Sequence, residues 1–132
     1  MSKIIRPVPE LGPAFEGWVS PAVQVGNLLF LAGLIGTDPR TGKIVQGTEQ
    51  QIRRIFDNIN LVLKAHGAEL RDVVRLTMYF TDRPKQWPIL DRIRRELFPE
   101  SRPATTGVGV TLLEQNAEVE LEAIAVIPNN AR

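Results

Sequence analysis

Leu28-Leu29-Phe30-Leu31-Ala32-Gly33-Leu34-Ile35-Gly36 is the stretch that decides the fold of this chain. It is too short to cross a bilayer, which takes about 20 apolar residues. It also lacks the apolar–polar alternation of a half-buried strand. A continuous apolar run bounded by turn residues suits a strand buried on both faces. Val23-Gln24-Val25 reads as its hairpin partner, with Gly26-Asn27 as a two-residue turn, because both tolerate the positive φ such turns use. The run ends in Gly33 and Gly36, where a missing side chain lets another group approach the backbone. A functional site is expected at that strand end.

Outward from this strand, 132 residues make one domain, 1–132, opened by an entry loop over 1–21 that is rich in Pro and Gly. Within the loop, Phe15 and Trp18 either cover a core edge or, for Trp18, line a pocket wall. A formal charge of +1 gives no nucleic-acid footprint and no acidic tail. The lack of cysteine excludes disulfides, thiolate catalysis and cysteine-held metals. Met1 to Pro7 holds no apolar segment of signal-peptide length, so a cytoplasmic chain with no membrane partner is expected.

Downstream, Thr37-Asp38-Pro39-Arg40-Thr41-Gly42 is dense in turn formers. A helix is expected from Thr48, with Thr48 and Gln51 forming a capping box. Ile52, Ile55, Phe56, Ile59 and Leu63 share its buried face, and Gly67 stops it. His66, the single histidine, reads as a capping or surface residue near the helix dipole and not as a metal ligand. Val73 to Thr81 alternates as a strand, with Val74, Leu76, Met78 and Phe80 on one face and Arg75, Thr77, Tyr79 and Thr81 on the other. A second helix follows Asp82, where Pro88 is tolerable only in the first turn. Its buried stripe is Trp87, Leu90, Ile93 and Leu97, and Arg92, Arg94 and Arg95 point around it as a solvated face. A strand over Ala104 to Leu113 and another over Glu118 to Val126 complete the order β-β-α-β-α-β-β. On the last strand Glu118, Glu120 and Glu122 share a face with Ile124 and Val126. The fold class is an α+β sandwich, a mixed sheet with two helices packed on one face.

Two helices cover only one face of such a sheet, and the other face is too apolar to stay bare in a monomer. That face is expected to meet another copy of the chain.

Several of these residues together resemble the RidA (YjgF/YER057c/UK114) family. They are Val25-Gly26-Asn27-Leu28 leading to Ala32-Gly33-Leu34-Ile35, Asp38-Pro39-Arg40-Thr41-Gly42, Asp57-Asn58-Ile59, Ala65-His66-Gly67, Asp72-Val73-Val74 with Thr77, Arg102-Pro103-Ala104, and Glu120-Leu121-Glu122-Ala123-Ile124-Ala125. The likeness runs in order over residues 17–127. It implies a chorismate-mutase-like fold, a homotrimer around a central barrel, and small-molecule sites in the clefts between subunits. It also implies cofactor-free hydrolysis of reactive enamines and imines to a 2-keto acid and ammonia.

The family's site residues carry over unevenly. Its carboxylate-clamping arginine falls at Thr105, its entry-loop tyrosine at Trp18, its serine before the strand glycine at Ala32, and its second-helix asparagine at Asp91. Its glutamate is kept as Glu120, the expected acid/base or water-orienting group. The substrate would lie against the backbone near Gly33 and Leu34 and the segment Thr105, Thr106 and Gly107, with Tyr79 or Trp87 shaping the wall. A guanidinium holds a carboxylate bidentately and a threonine hydroxyl does not, a difference of about 1.5–3 kcal/mol in binding. The expected function is therefore imine or enamine hydrolysis on a substrate not anchored by arginine, unless another cation such as Arg102 replaces the clamp. The alternatives are a metabolite-binding trimer without turnover and, third, RNA cleavage, which this charge and aromatic pattern disfavour. For Glu120 itself, the competing account is a row of glutamates that keeps one strand face soluble.

Overall fold

The computed structural model describes residues 2–15 and 19–129. Its centre is the expected hairpin: β2 (Ala22–Val25) and β3 (Leu28–Leu31) pair antiparallel, with Val25 opposite Leu28 across the turn. Gly26 takes a φ of 61° while Asn27 stays at negative φ, so only the first turn residue is left-handed. That is the type II′ pattern, whose twist also matches paired strands. A short strand at the N-terminus, β1 (Lys3–Ile4), extends the hairpin, and the sequence had suggested only a loop there.

The remaining strands are β4 (Val73–Phe80), β5 (Ala104–Gly109) and β6 (Val119–Val126). They join one sheet in the order β1-β2-β3-β6-β4-β5, antiparallel except where β5 runs parallel to β4. Helices α1 (Thr48–Ala65) and α2 (Arg83–Leu97) pack against each other and on one face of that sheet. Leu29, Leu76, Met78, Phe80, Val119 and Leu121 meet the helix stripes there to form the core. This is the expected α+β sandwich.

The β3 expectation needs a correction. Leu29 and Leu31 are buried, but Leu28 and Phe30 are 39% and 42% exposed in the single chain. The strand is apolar on both faces, yet the chain covers only one. On the same open face β6 alternates as expected, with Val119, Leu121, Ala123 and Ala125 buried and Glu120, Glu122, Ile124 and Val126 facing out. In β4 a bulge between Val73 and Arg75 shifts the pairing, so Val73 and not Val74 enters the core, and Val74 is left 45% exposed.

At the helix ends the chemistry differs in part from expectation. Gly47 is the N-cap of α1, and Thr48 and Gln51 make no capping box. Instead, Thr48 Oγ1 donates to Glu118 Oε1 at 2.7 Å, and Gln51 Oε1 accepts the Glu118 backbone N–H at 2.9 Å. The other end is as expected: Gly67 sits at φ 74°, with its N–H bonded to Lys64 and that of Ala68 to Leu63. His66 caps α1 but is buried, its Nδ1–H donating to the Val62 carbonyl at 2.7 Å. Pro88 lies in the second turn of α2, not the first. It shares an exposed flank with Pro84, whose carbonyl would have been its partner, so the missing bond falls on the solvent side.

Candidate functional site

Four steps of chain separate Phe30 from Leu34, whereas three separate their partners Ile124 and Leu121. The extra residue is a bulge at Ala32 and Gly33, at the strand end expected to open a site. The group that uses the missing side chain of Gly33 is Glu120. A Cβ on Gly33 would lie 2.7 Å from Glu120 Oε2, so the carboxylate rests directly on that backbone. Gly36 is approached from elsewhere, by the backbone of Gln51 in α1, also at 2.7 Å.

Glu120 closes one side of a hollow of about 310 Å³, whose floor is Gly33, Ile35 and Thr37. Phe15 and Val19 line it from the entry loop, together with Glu114 and Gln115. Burial is the main reason the Glu120 carboxyl is pushed above its ordinary value, helped by the negative charges of Glu122 and Glu114. Glu122, the next outward residue of β6, is engaged otherwise: Tyr79 Oη donates to its Oε1 at 2.6 Å. That bond, in turn, raises the Tyr79 phenol.

Glu114 and Gln115 were missed from the sequence. They sit in a turn before β6 in which Gln115 and Asn116 take φ values of 54° and 56°. The turn is pinned by the Gln115 side chain, which accepts from Ile44 N–H at 3.3 Å and donates to the Gly42 carbonyl at 3.2 Å. Two consecutive left-handed non-glycine residues are costly and are held only where tertiary contacts impose them. The signal available was Gln115-Asn116 between two strands, asparagine being a residue that tolerates this region.

The other expected site residues divide. Ala32 flanks Gly33, and its N–H donates to the Pro21 carbonyl at 2.9 Å. Leu34 points into the core, and both its backbone groups bond to Leu121, so it offers the hollow nothing. Trp18 lies outside the described residues. Thr105, Thr106 and Gly107 are on β5, two strands away from β6. There Thr105 pairs with Leu76 and Gly107 with Met78, so both face the helix side, opposite to Glu120. Thr106 is on the open face, where its hydroxyl accepts from Arg75. Asp91 lies on α2, where it pairs with Arg94 and with Arg95. The Arg94 bond is the first cause that holds its carboxyl below the ordinary range. Trp87 packs edge-on to Phe80 with ring centroids 6.1 Å apart and Arg83 and Arg94 over its faces, away from the hollow. Arg102 lines a separate hollow with Arg94, Arg95, Phe98 and Pro99. Within the single chain, then, Glu120 and Gly33 meet, whereas Asp91, Trp87, Arg102 and the Thr105 segment do not join them. Among the described residues, no group of three metal-binding side chains comes together.

The family model described as Endoribonuclease L-PSP matches residues 11–127. The chain belongs to the RidA (YjgF/YER057c/UK114) family. A RutC family protein of Pyrococcus abyssi is 40% identical over 88% of this chain and 91% of its own. A protein of Dermatophagoides farinae named 2-iminobutanoate/2-iminopropanoate deaminase is 37% identical over 89% of this chain and 91% of its own. Among solved structures, a Thermotoga maritima protein titled a putative endoribonuclease superposes with a TM-score of 0.87 at 35% identity, over 98% of this chain and 100% of the other. The fold of this RidA-family chain is chorismate-mutase-like. No helix among its described residues is long and apolar enough to cross a membrane.

Proposed function

We propose that this RidA-family protein is a cytoplasmic, cofactor-independent hydrolase of imines or enamines whose substrate is not anchored by arginine. It would work as a homotrimer with its sites in the clefts between copies. The observation that carries the proposal is the Glu120 carboxylate, half-buried over Gly33 at the wall of a hollow. The deaminase names of relatives support the chemistry. The opposite facing of Glu120 and Thr105 supports the shared cleft, since a β5 edge would reach the hollow only from another copy.

The reaction joins one water to one protonated imine and releases a carbonyl compound and an ammonium ion. As a carboxylate, Glu120 takes a proton from water while the oxygen bonds to carbon, giving a carbinolamine. It then returns that proton to nitrogen, the C–N bond breaks, and ammonia leaves with the hydroxyl proton. One group that both accepts and donates a proton works best with a pKa moved toward neutrality, and burial moves Glu120 that way. The acid limb of the pH–rate profile is therefore expected above the usual carboxylate range.

The direct test is Glu120→Gln, assayed on imines generated in place by a flavin amino-acid oxidase. Glutamine keeps the shape but cannot cycle the proton, so the rate should fall on the order of 10²–10⁴, with the fold retained by circular dichroism. An unchanged rate would remove Glu120 from the mechanism. Binding without turnover is the second reading, favoured by Thr105 standing where the family clamps a carboxylate. It predicts ligands that raise the melting temperature and are recovered unchanged.

A further inference from the structure

The charge around the Glu120 hollow points to a substrate class. Among the described residues its charged lining is Glu114 and Glu120, with Glu122 next along β6, and no arginine or lysine of those residues pairs with Glu114 or Glu120. The walls that make it a hollow are apolar or neutral, namely Phe15, Val19, Ile35 and Thr37. Concavity and the seat of Glu120 define the place, and the two carboxylates make this chain's share of the lining negative. The turn pinned through Gln115 places Glu114 beside the hollow, and its side chain joins the lining.

We infer that this hollow selects imines that carry no carboxylate and binds them as the protonated iminium cation, with Glu114 as the residue that sets the preference. The inference rests on the function proposed above. A 2-imino acid brings an anion within reach of two glutamates, and like charges brought together at a binding surface are rejected. An imine without the carboxylate becomes a cation on protonation, which is also the electrophile that water attacks. The same two glutamates favour that cation and keep its proton on nitrogen. The acidic lining therefore suits the reacting form of one class and opposes the other.

The test uses two imines that differ only in the carboxylate: one released from phenylalanine by a flavin amino-acid oxidase, the other from phenethylamine by a flavin amine oxidase. Ammonia release above the uncatalysed rate should favour the carboxylate-free imine by about tenfold or more. Glu114→Gln should narrow that ratio several-fold, and Glu114→Asp should restore it. A preference for the carboxylate-bearing imine, or a ratio unmoved by Glu114→Gln, would overturn the inference and leave the hydrolase reading standing. If neither imine is hydrolysed, the hydrolase reading fails, and stable analogues still decide the charge question. Phenethylammonium should then raise the melting temperature of the wild type more than 3-phenylpropanoate does, and Glu114→Gln should lose that difference. Equal shifts by the two analogues would overturn the inference independently of turnover.

Discussion

Gly33 and Gly36 were both legible as places where something approaches the backbone, but not what approaches. At Gly33 it is the end of a flexible side chain, and at Gly36 it is helix backbone. The difference decides what alanine does at each. Gly33→Ala pushes only the Glu120 carboxylate aside, and Gly33 has no left-handed φ to forbid a side chain. Its melting temperature is expected to equal or slightly exceed the wild type, since Gly→Ala at a compatible site stabilises by about 0.4–1 kcal/mol. Its rate should drop, because moving a catalytic group by about 1 Å can cost on the order of 10². Gly36→Ala, which drives a methyl into Gln51, should instead lose about 1–3 kcal/mol of stability. Melting curves and initial rates on both variants check this, and a fully active Gly33→Ala would show that the carboxylate's seat is unimportant. Glu120 was legible from its place in the family motif. Glu114 was not, because its position depends on two left-handed residues that no spacing rule reveals.

The elements were legible wherever periodicity had no competitor. Both helices and the alternation of β6 follow from apolar spacing, while β1 is too short to leave a pattern. Misreadings arose where a side chain found a distant partner. Thr48 and Gln51 have the spacing of a capping box but bond to Glu118, a residue far along the chain. The three glutamates of the last strand therefore divide: Glu118 ties β6 to α1 and to Lys85 of α2, Glu120 sits in the hollow, and Glu122 takes the Tyr79 hydroxyl. Conversion of the three to glutamine is therefore expected to have unequal effects. Glu118→Gln weakens a charge-assisted bond and should cost about 1 kcal/mol, read as a melting temperature lower by several degrees. Its rate should change much less than that of Glu120→Gln. A Glu118→Gln protein as stable as the wild type would show that the clamp between β6 and α1 is dispensable.

For the whole molecule, the sequence showed that one sheet face would lack a cover, and the structure locates it at Leu28, Phe30, Val74 and Val108. The homotrimer proposed above would cover this face. Phe30→Asp should then leave the helical content intact while light scattering reports a smaller particle, because Phe30 is already exposed in the protomer. A particle of unchanged size would place the contact between copies elsewhere. Within the chain, the bulge at Ala32 and Gly33 makes length a constraint that composition does not carry. Strict alternation after Leu31 would put Gly33 in the core and Leu34 outside, and the extra residue reverses that phase. A substitution at Ala32 leaves the bulge in place, whereas a single lost codon there removes it and keeps Leu34 inward by plain alternation. In a deletion scan this position would spare the core leucine and shift only the glycine beneath the acid, so the protein would stay folded and lose its rate, even though no catalytic residue had been touched.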